Sequence, residues 1–336
     1  VAPLVSIVIP NWNGRTYLET CLASLKSLRG PAFEIVLVDN GSTDDSLEFV
    51  EMHHPDVRIV RNTENLGFAR ACNIGIEHSK GEYILFLNND TLATPDFLTE
   101  LVRAMEADPS VGMCQSKLRL VDHPELLDQV GSYFTTTGFL LHEGFMQRDG
   151  PEYERVAEIF SAKGACMLVP RRILDEVGPF DEDFFAYCEE YDLCWRIWLA
   201  GYRIIYVPRS VIYHKMGATS VRLRSAWIDF HSFKNRVCLL IKNLGGGSLI
   251  WILPIHLALC VGGSLLLLAG LKYASGKAIL QALVWNMVKI RSTIAKRKYV
   301  QTKIRKISDR ELFERIAKRN SFGRVFRYAL GYFNRW

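Results

Sequence analysis

Short apolar stretches alternate with helical spacing from Val5 to Asp90, and each stretch stops at amides or carboxylates. Val5 to Ile9 reads as a strand closed by Pro10, Glu34 to Val38 as a second, Val57 to Val60 as a third and Tyr83 to Leu87 as a fourth. Between them, Tyr17 to Leu28, a helix capped by Ser42-Thr43-Asp44 and running to about His53, and Phe68 to Ser79 carry helical periodicity. Strands apolar on both faces must be covered on both faces, which predicts an α/β fold: a mostly parallel sheet, right-handed crossovers and helices on either side. In such sheets ligands sit beyond the carboxyl ends of the strands. Polar residues cluster at those ends: Asn11 and Asn13, then Asp39-Asn40-Gly41-Ser42, then Arg61-Asn62 with Asn65, then Asn88-Asn89-Asp90.

Beyond this half, a helix is predicted between Pro95 and Ala107 and a strand over Val111 to Leu120. Residues 121–161 loosen into short β-like pieces and turns, the look of an insert. Order returns with Ala165 to Val169, Phe180 to Phe185, a helix from about Glu189 to Ala200 ended by Gly201, and short strands over Arg203 to Val207 and Val211 to His214. A helix then leads through about Asn243 to Leu244–Leu271, a run with no Asp, Glu, Lys or Arg and one His. That run is long enough to cross a bilayer core. Pro254 and Gly262-Gly263 interrupt it, and Lys234, Arg236, Lys242, Lys289 and Arg291 flank it. Basic residues on both sides favour a hairpin or an in-plane helix over one crossing and put both flanks in the cytoplasm. Ala278 to Ile290 is too short to span. The expected division is a catalytic domain over 1–221, a linker helix with membrane-associated apolar helices over 222–290, and a basic amphipathic tail over 291–336.

The net charge of +5 conceals an asymmetry, because residues 289–336 hold 15 Lys+Arg against 3 Asp+Glu. A basic tail beside an apolar run is suited to anionic lipid on a cytoplasmic leaflet; without a binding motif, nucleic acid is not the expected partner. The eight cysteines form no CxxC pair and read as buried thiols in a reducing compartment. No signal peptide is read ahead of the first strand.

Four constellations can carry chemistry. Asp39 ends the second strand, where a carboxylate can accept hydrogen bonds from a ribose or a nucleobase, or simply close a turn. A bound dinucleotide is disfavoured, since Asn11-Trp12-Asn13-Gly14 stands where GxGxxG would be required. Asp90 offers one hard oxygen ligand, which suits Mg²⁺ or Mn²⁺ held mainly through a substrate's phosphates. Glu189-Glu190-Tyr191-Asp192 sets three carboxylates at a helix start, where the dipole stabilises anions and like-charge neighbours can raise one pKa toward that of a general base. His214 ends a strand and could ligate Mn²⁺.

The segments PNWNG, VDNGSTDDS, NLGFARACNIGI, GEYILFLNND and the run from Lys163 to His214 (KGACMLVPRRILDEVGPFDEDFFAYCEEYDLCWRIWLAGYRIIYVPRSVIYH) together resemble an inverting glycosyltransferase of family 2, with the GT-A fold, in its rhamnosyltransferase-like branch. The likeness covers roughly residues 4 to 216, and KNRVCLLIKN with the apolar run and basic tail is similar to that branch's membrane-attached C-termini. The resemblance implies that Asp39 contacts the nucleobase and that Pro10, Asn11, Asn13 and Asn65 line the donor pocket. Asn88-Asn89-Asp90 stands at the DxD motif, with Asn88 near the ribose, Asn89 also in the donor nucleotide site, Asp90 as metal ligand and His214 completing the shell. Glu190 falls at the catalytic base, and Glu189 or Asp192 could share or take that role because Asp is usual there. Gly164, Ala165, Trp195 and Arg196 fall near the acceptor or diphosphate. The QxxRW motif of processive synthases is absent, which implies one sugar per encounter. Implied partners are a nucleoside-diphosphate sugar, dTDP-rhamnose or a UDP-sugar, and a polyprenyl-diphosphate-linked saccharide met at the cytoplasmic face of the inner membrane. A nucleotide-binding membrane scaffold without activity and a nucleotidyltransferase are the competing readings; the intact carboxylates argue against the first and the missing phosphate loop against the second.

Overall fold

A computed structural model describes residues 5–217 and 224–316. The first half runs β1 (Val5–Asn11), α1 (Arg15–Lys26), β2 (Phe33–Asn40), α2 (Ser46–His53), β3 (Arg58–Asn62), α3 (Phe68–Glu77), β4 (Tyr83–Leu87), β5 (Thr91–Ala93), α4 (Phe97–Glu106) and β6 (Val111–Leu120). Then come β7 (Leu127–Gln129), β8 (Ser132–Phe134), β9 (Leu140–His142), β10 (Ala157–Glu158), β11 (Cys166–Pro170), α5 (Arg171–Val177), α6 (Glu189–Leu199) and β12 (Arg203–His214). Helices α7 (Ser225–Asn243), α8 (Gly246–Ala269), α9 (Tyr273–Val288), α10 (Ile290–Tyr299) and α11 (Asp309–Ile316) complete it.

One large sheet has the order β10-β12-β6-β11-β4-β1-β2-β3, with β5 on β12 and β7 on β6. The four predicted strands pair in parallel, and register aligns their polar ends: Asn11 opposite Asp39, and Asn40 opposite Asn62. The sheet is less uniformly parallel than expected, because β11 runs antiparallel to both β4 and β6. Its five residues are all buried, so a strand covered on both faces reads the same in either direction. The reversal matters for the site. The start of β11, not its end, lies at the carboxyl edge of β4, where Asn88 N donates to Ala165 O at 3.1 Å. The two short strands predicted over 203–214 form the single strand β12, with a register shift between Val207 and Val211. Helix α2 begins at Ser46, later than the predicted cap, and Asp44 accepts from Ser46 N.

Apolar residues of the two sheet faces form two cores, and the eight cysteines are free and buried, in keeping with inert thiols. A third, small core joins α7, α8 and α9 through Phe233, Cys260, Leu267, Ile279 and Ala282. Helix α8 is, among the described residues, the one helix long and apolar enough to cross a membrane. It runs unbroken through Pro254 and Gly262-Gly263, so the hairpin is made by α8 with α9 rather than inside the apolar run. Ile252, His256, Cys260, Gly263, Ser264 and Leu267 form its buried stripe, while Ile250, Leu265 and Leu266 are exposed. The exposed apolar face continues onto α9 at Val284, Met287 and Val288.

The predicted basic tail is partly engaged within the protein. Arg297 donates to Ile241 O and Leu244 O, and Arg305 to Asn243 O, so these guanidinium groups satisfy the last carbonyls of α7. Arg291, Lys298 and Lys303 stay exposed. The predicted boundary at 221/222 and the tail beyond Ile316 lie outside the described residues.

Candidate active site

The carboxyl edge of the sheet bounds a cavity of about 570 Å³. At one end Pro10, Asn11, Trp12, Asn40 and Asn65 line it, with Asn88, Asn89 and Asp90 after β4. Lys163, Gly164 and Ala165 enter from the start of β11, Glu189 and Glu190 from the start of α6, and His214 from the end of β12. Phe185, Ala186 and Tyr187, with Trp227 of α7, complete its lining. Topology explains the convergence: β1 to β4 end here, reversed β11 begins here, and β5 returns beside β12 so that Thr91 pairs with His214.

The amides form a network that fixes the floor. Asn89 Nδ2 donates to Asn11 Oδ1 at 2.7 Å, and Asn40 Nδ2 to Asn65 Oδ1 at 2.9 Å. Gly14 is required for the first of these, since a Cβ there would lie 2.0 Å from Asn89 Nδ2. Asp39 does not line the cavity. Its two oxygens accept from Asn11 Nδ2 and Ser42 N, both at 3.0 Å, so it holds Asn11 and closes the turn after β2. Asn13 likewise stands behind the wall, its side chain accepting from Thr43 N at 2.7 Å.

A relay of charge runs from Asp90 inward. His214 Nε2 lies 3.3 Å from Asp90 Oδ1, an ion-pair distance without hydrogen-bond geometry, which leaves that buried oxygen unbonded. His214 Nδ1 bonds Asp128 at 2.8 Å, and Lys163 Nζ donates to both Asp128 oxygens at 2.7 Å. Burial opposes charge on the imidazole, but Asp90 and then Asp128 outweigh it and raise His214 to about 9. Burial also opposes charge on Asp128, yet the Lys163 ammonium and His214 hold its carboxyl well below the usual range. Asp128 lies on β7, inside the stretch read as a loose insert, and nothing local in the sequence marks it. Its partner Lys163 opens the most specific segment of the resemblance but drew no role.

In the same cavity, Glu189 and Glu190 each keep one buried oxygen without a hydrogen bond. Burial raises Glu190 to about 7, and burial with the neighbouring Glu190 charge raises Glu189 well above the usual carboxylate range. The helix turns the other predicted residues away from the cavity. Asp192 is wholly buried and accepts from Arg196 Nε, Lys242 Nζ and Asn243 Nδ2 at 3.0, 2.8 and 2.8 Å, so it anchors α6 to α7 and is not placed to act as a base. Arg196 donates to the carbonyls of Val177, Gly178 and Pro179. Trp195 packs against Phe134 and Phe160 in the core. At 100° per residue, positions five and six along from Glu190 turn away from the cleft, Trp195 into the aromatic core and Arg196 toward the carbonyls after α5, which corrects the expectation that they lie near acceptor or diphosphate. The sequence reading missed Trp12, Phe185, Tyr187 and Trp227; for Trp227 no signal existed, as it lies beyond the predicted catalytic domain.

A profile described as Glycosyl transferase family 2 matches residues 6–177, about half of the chain. The uncharacterized protein y4gI of Sinorhizobium fredii is 30% identical over 236 residues, covering 65% of this chain and 25% of its own, so the chain spans about a quarter of that relative. The N-acetylglucosaminyl-diphospho-decaprenol L-rhamnosyltransferase of Mycobacterium tuberculosis is 27% identical over 249 residues, with 65% of this chain and 78% of that one covered. Among solved structures, a mannosyltransferase of Pyrobaculum calidifontis in complex with GDP-Man and Mn²⁺ superimposes with a TM-score of 0.54 at 20% identity, covering 85% of this chain and 88% of that one. The fold is thus the GT-A arrangement that the resemblance implied. With the matched segment carrying the strands and amides that build the cavity floor, the chain belongs to glycosyl transferase family 2.

Proposed function

We propose that the chain transfers one sugar, with inversion, from a nucleoside-diphosphate sugar to a hydroxyl of a lipid-linked saccharide at the cytoplasmic face of a membrane. The observation that carries this reading is that a single cavity is lined by Asp90, whose buried Oδ1 has no hydrogen bond, and by Glu190, whose pKa is raised to about 7. A carboxyl poised near neutrality is suited to take a proton from an alcohol.

Glu190 Oε accepts the proton of the acceptor hydroxyl as that oxygen bonds the anomeric carbon; the bond from that carbon to the phosphate oxygen breaks, and its electron pair leaves with the nucleoside diphosphate. The amides Asn11, Asn40, Asn65, Asn88 and Asn89 hold the nucleotide end. Asp128 fixes the ring of His214 with Nε2 toward Asp90. Asp90, and His214 once Nε2 gives up its proton to an incoming cation, would supply an oxygen and a nitrogen fit to hold Mg²⁺ or Mn²⁺, which when bound would neutralise charge on the departing diphosphate. Among the described residues no set of three or more His, Cys, Asp or Glu could hold a metal ion by itself, which fits a cation bound largely through the donor. The Mn²⁺ of the Pyrobaculum enzyme supports the cation, and the Mycobacterium enzyme supports rhamnose as the sugar moved and a polyprenyl-diphosphate-linked acceptor. The exposed apolar face of α8 and α9, beside Arg291 and Lys298, supports contact with a membrane containing anionic lipid.

Thermal-shift measurements with dTDP-, UDP- and GDP-sugars, with and without Mn²⁺, test donor and cation together. A stabilisation by one nucleotide that requires the cation supports the reading; no response to any nucleotide sugar refutes it. Glu190→Gln is expected to abolish transfer while leaving donor binding intact.

A further inference from the structure

Helix α7 lies outside the matched family segment and outside the predicted catalytic domain, yet it is fastened to the turn that carries the candidate base. Asn235 Nδ2 donates to Phe184 O at 2.8 Å, Ala186 O at 2.9 Å and Tyr187 O at 2.6 Å. Beside it, Lys234 Nζ donates to Asp183 O at 2.7 Å. The turn needs such a partner. Phe185, Tyr187 and Cys188 have φ of 50°, 68° and 67°, a region L side chains rarely adopt, and this backbone aims three carbonyls at one point. Asn235 is fully buried, and its Oδ1 has no hydrogen bond, so the amide is oriented by the demand for donors. On the other side of α7, Asn286 of α9 donates to Lys234 O at 2.9 Å and ties the helix to the apolar hairpin.

We propose that Asn235 is a positioning residue for sugar transfer: by gathering the carbonyls of residues 184–187 it holds the turn that presents Glu189 and Glu190 to the cavity, which makes α7 part of the catalytic unit. The inference rests on Glu190 being the base. The amide network of the nucleotide end is built on β1 to β4 and meets the turn where Phe185 O accepts from Ala69 N, so a loosened turn costs the base its attack geometry more than it costs donor binding. It also admits water to Glu190, which now faces Glu189 on its own helix and Lys163 at the start of β11, with the Cys72 thiol of α3, the Cys188 thiol and Arg236 of α7 close by.

The test uses the full chain in detergent with saturating lipid-linked acceptor. Asn235→Ala should lower kcat roughly 10- to 100-fold with donor KM within about 2-fold, as a small misplacement of a catalytic group can cost about 100-fold. The acid limb of its kcat–pH profile should move down from about 7. Asn235→Asp, which sets acceptors against three carbonyls, should lose at least as much. Asn286→Ala is the matched control, a buried amide on the same helix pair that does not touch the turn, and should lose thermal stability while keeping kcat and the pH limb. Wild-type kcat and pH limb in Asn235→Ala, or an equal kcat loss in Asn286→Ala, would overturn the proposal. Should Asn235→Ala not fold, Lys234→Met, which removes the anchor to Asp183 O and keeps the stem, is read by the same criteria. Transfer by Glu190→Gln would overturn the base assignment instead. Hydrogen exchange of amides 184–188 then decides Asn235 separately: faster exchange than in Asn286→Ala supports its role, and equal exchange refutes it.

Discussion

Substituting Asp192 by Asn separates a structural carboxylate from a catalytic one two residues apart on the same helix. Asp192 is completely buried, with Lys242 Nζ at 2.8 Å and Arg196 Nε at 3.0 Å. Removing one charge of a buried pair typically costs about 3–5 kcal/mol, because the partner stays buried without its counter-ion. Here the cost belongs at about 3 kcal/mol, the low end of that range. Lys242 keeps Asp181 at 2.7 Å, and Arg196 keeps three backbone carbonyls. Unfolding entropy of about 2.1 cal/mol/K per residue amounts to about 0.7 kcal/mol/K for a chain of 336 residues, so the melting temperature should fall by about 4 °C. Scanning calorimetry in detergent measures this, and transfer assayed well below the melting temperature should persist. If Asp192→Asn melts like the wild type but has lost transfer, the carboxylate is the base and the assignment to Glu190 fails.

The acidic limb of the transfer rate should lie near pH 7, with activity lost as pH falls and Glu190 takes up its proton; a limb near 4.5 would show that carboxyl to be solvated. In the absence of donor, stability should decrease as pH rises from about 4.5 to about 7, since the unfolded chain ionises this carboxyl first, and the slope should shrink in Glu190→Gln when followed by thermal melts. Gly67→Ala should destabilise by about 1–3 kcal/mol and slow transfer, because φ there is +87° and the new Cβ would meet Phe185 O at 2.5 Å; an unaffected melting temperature would argue that the turn lies elsewhere. Replacing Leu265 and Leu266 by Glu on the exposed face of α8 should release the protein from anionic vesicles in a flotation assay, and unchanged flotation would remove α8 from the membrane contact.

Much of the site was written in one dimension because β1, β2 and β4 are strongly apolar and stop, together with the edge strand β3, at one edge of the sheet. Asn11, Asn65, Asn88, Asn89 and Asp90 follow those stops, and register in a parallel sheet brings successive stops to one edge. The resemblance located Glu190 and His214, which lie far along the chain from that edge but line the same cavity. It placed Trp195 and Arg196 beside them because they are near in sequence, yet helical rotation carries them into the core.

Sequence alone determined the layered α/β plan, the amide-rich edge and the apolar run that became α8, since each depends on local periodicity and the burial it demands. Tertiary structure decided the direction of β11, the partnership of Asp128 with His214 and Lys163, and the contribution of α7 to the cavity wall and the turn above it. Those features join residues distant along the chain through buried charges and carbonyls, and a buried polar group accepts whichever partner the packing delivers, which no nearby pattern records.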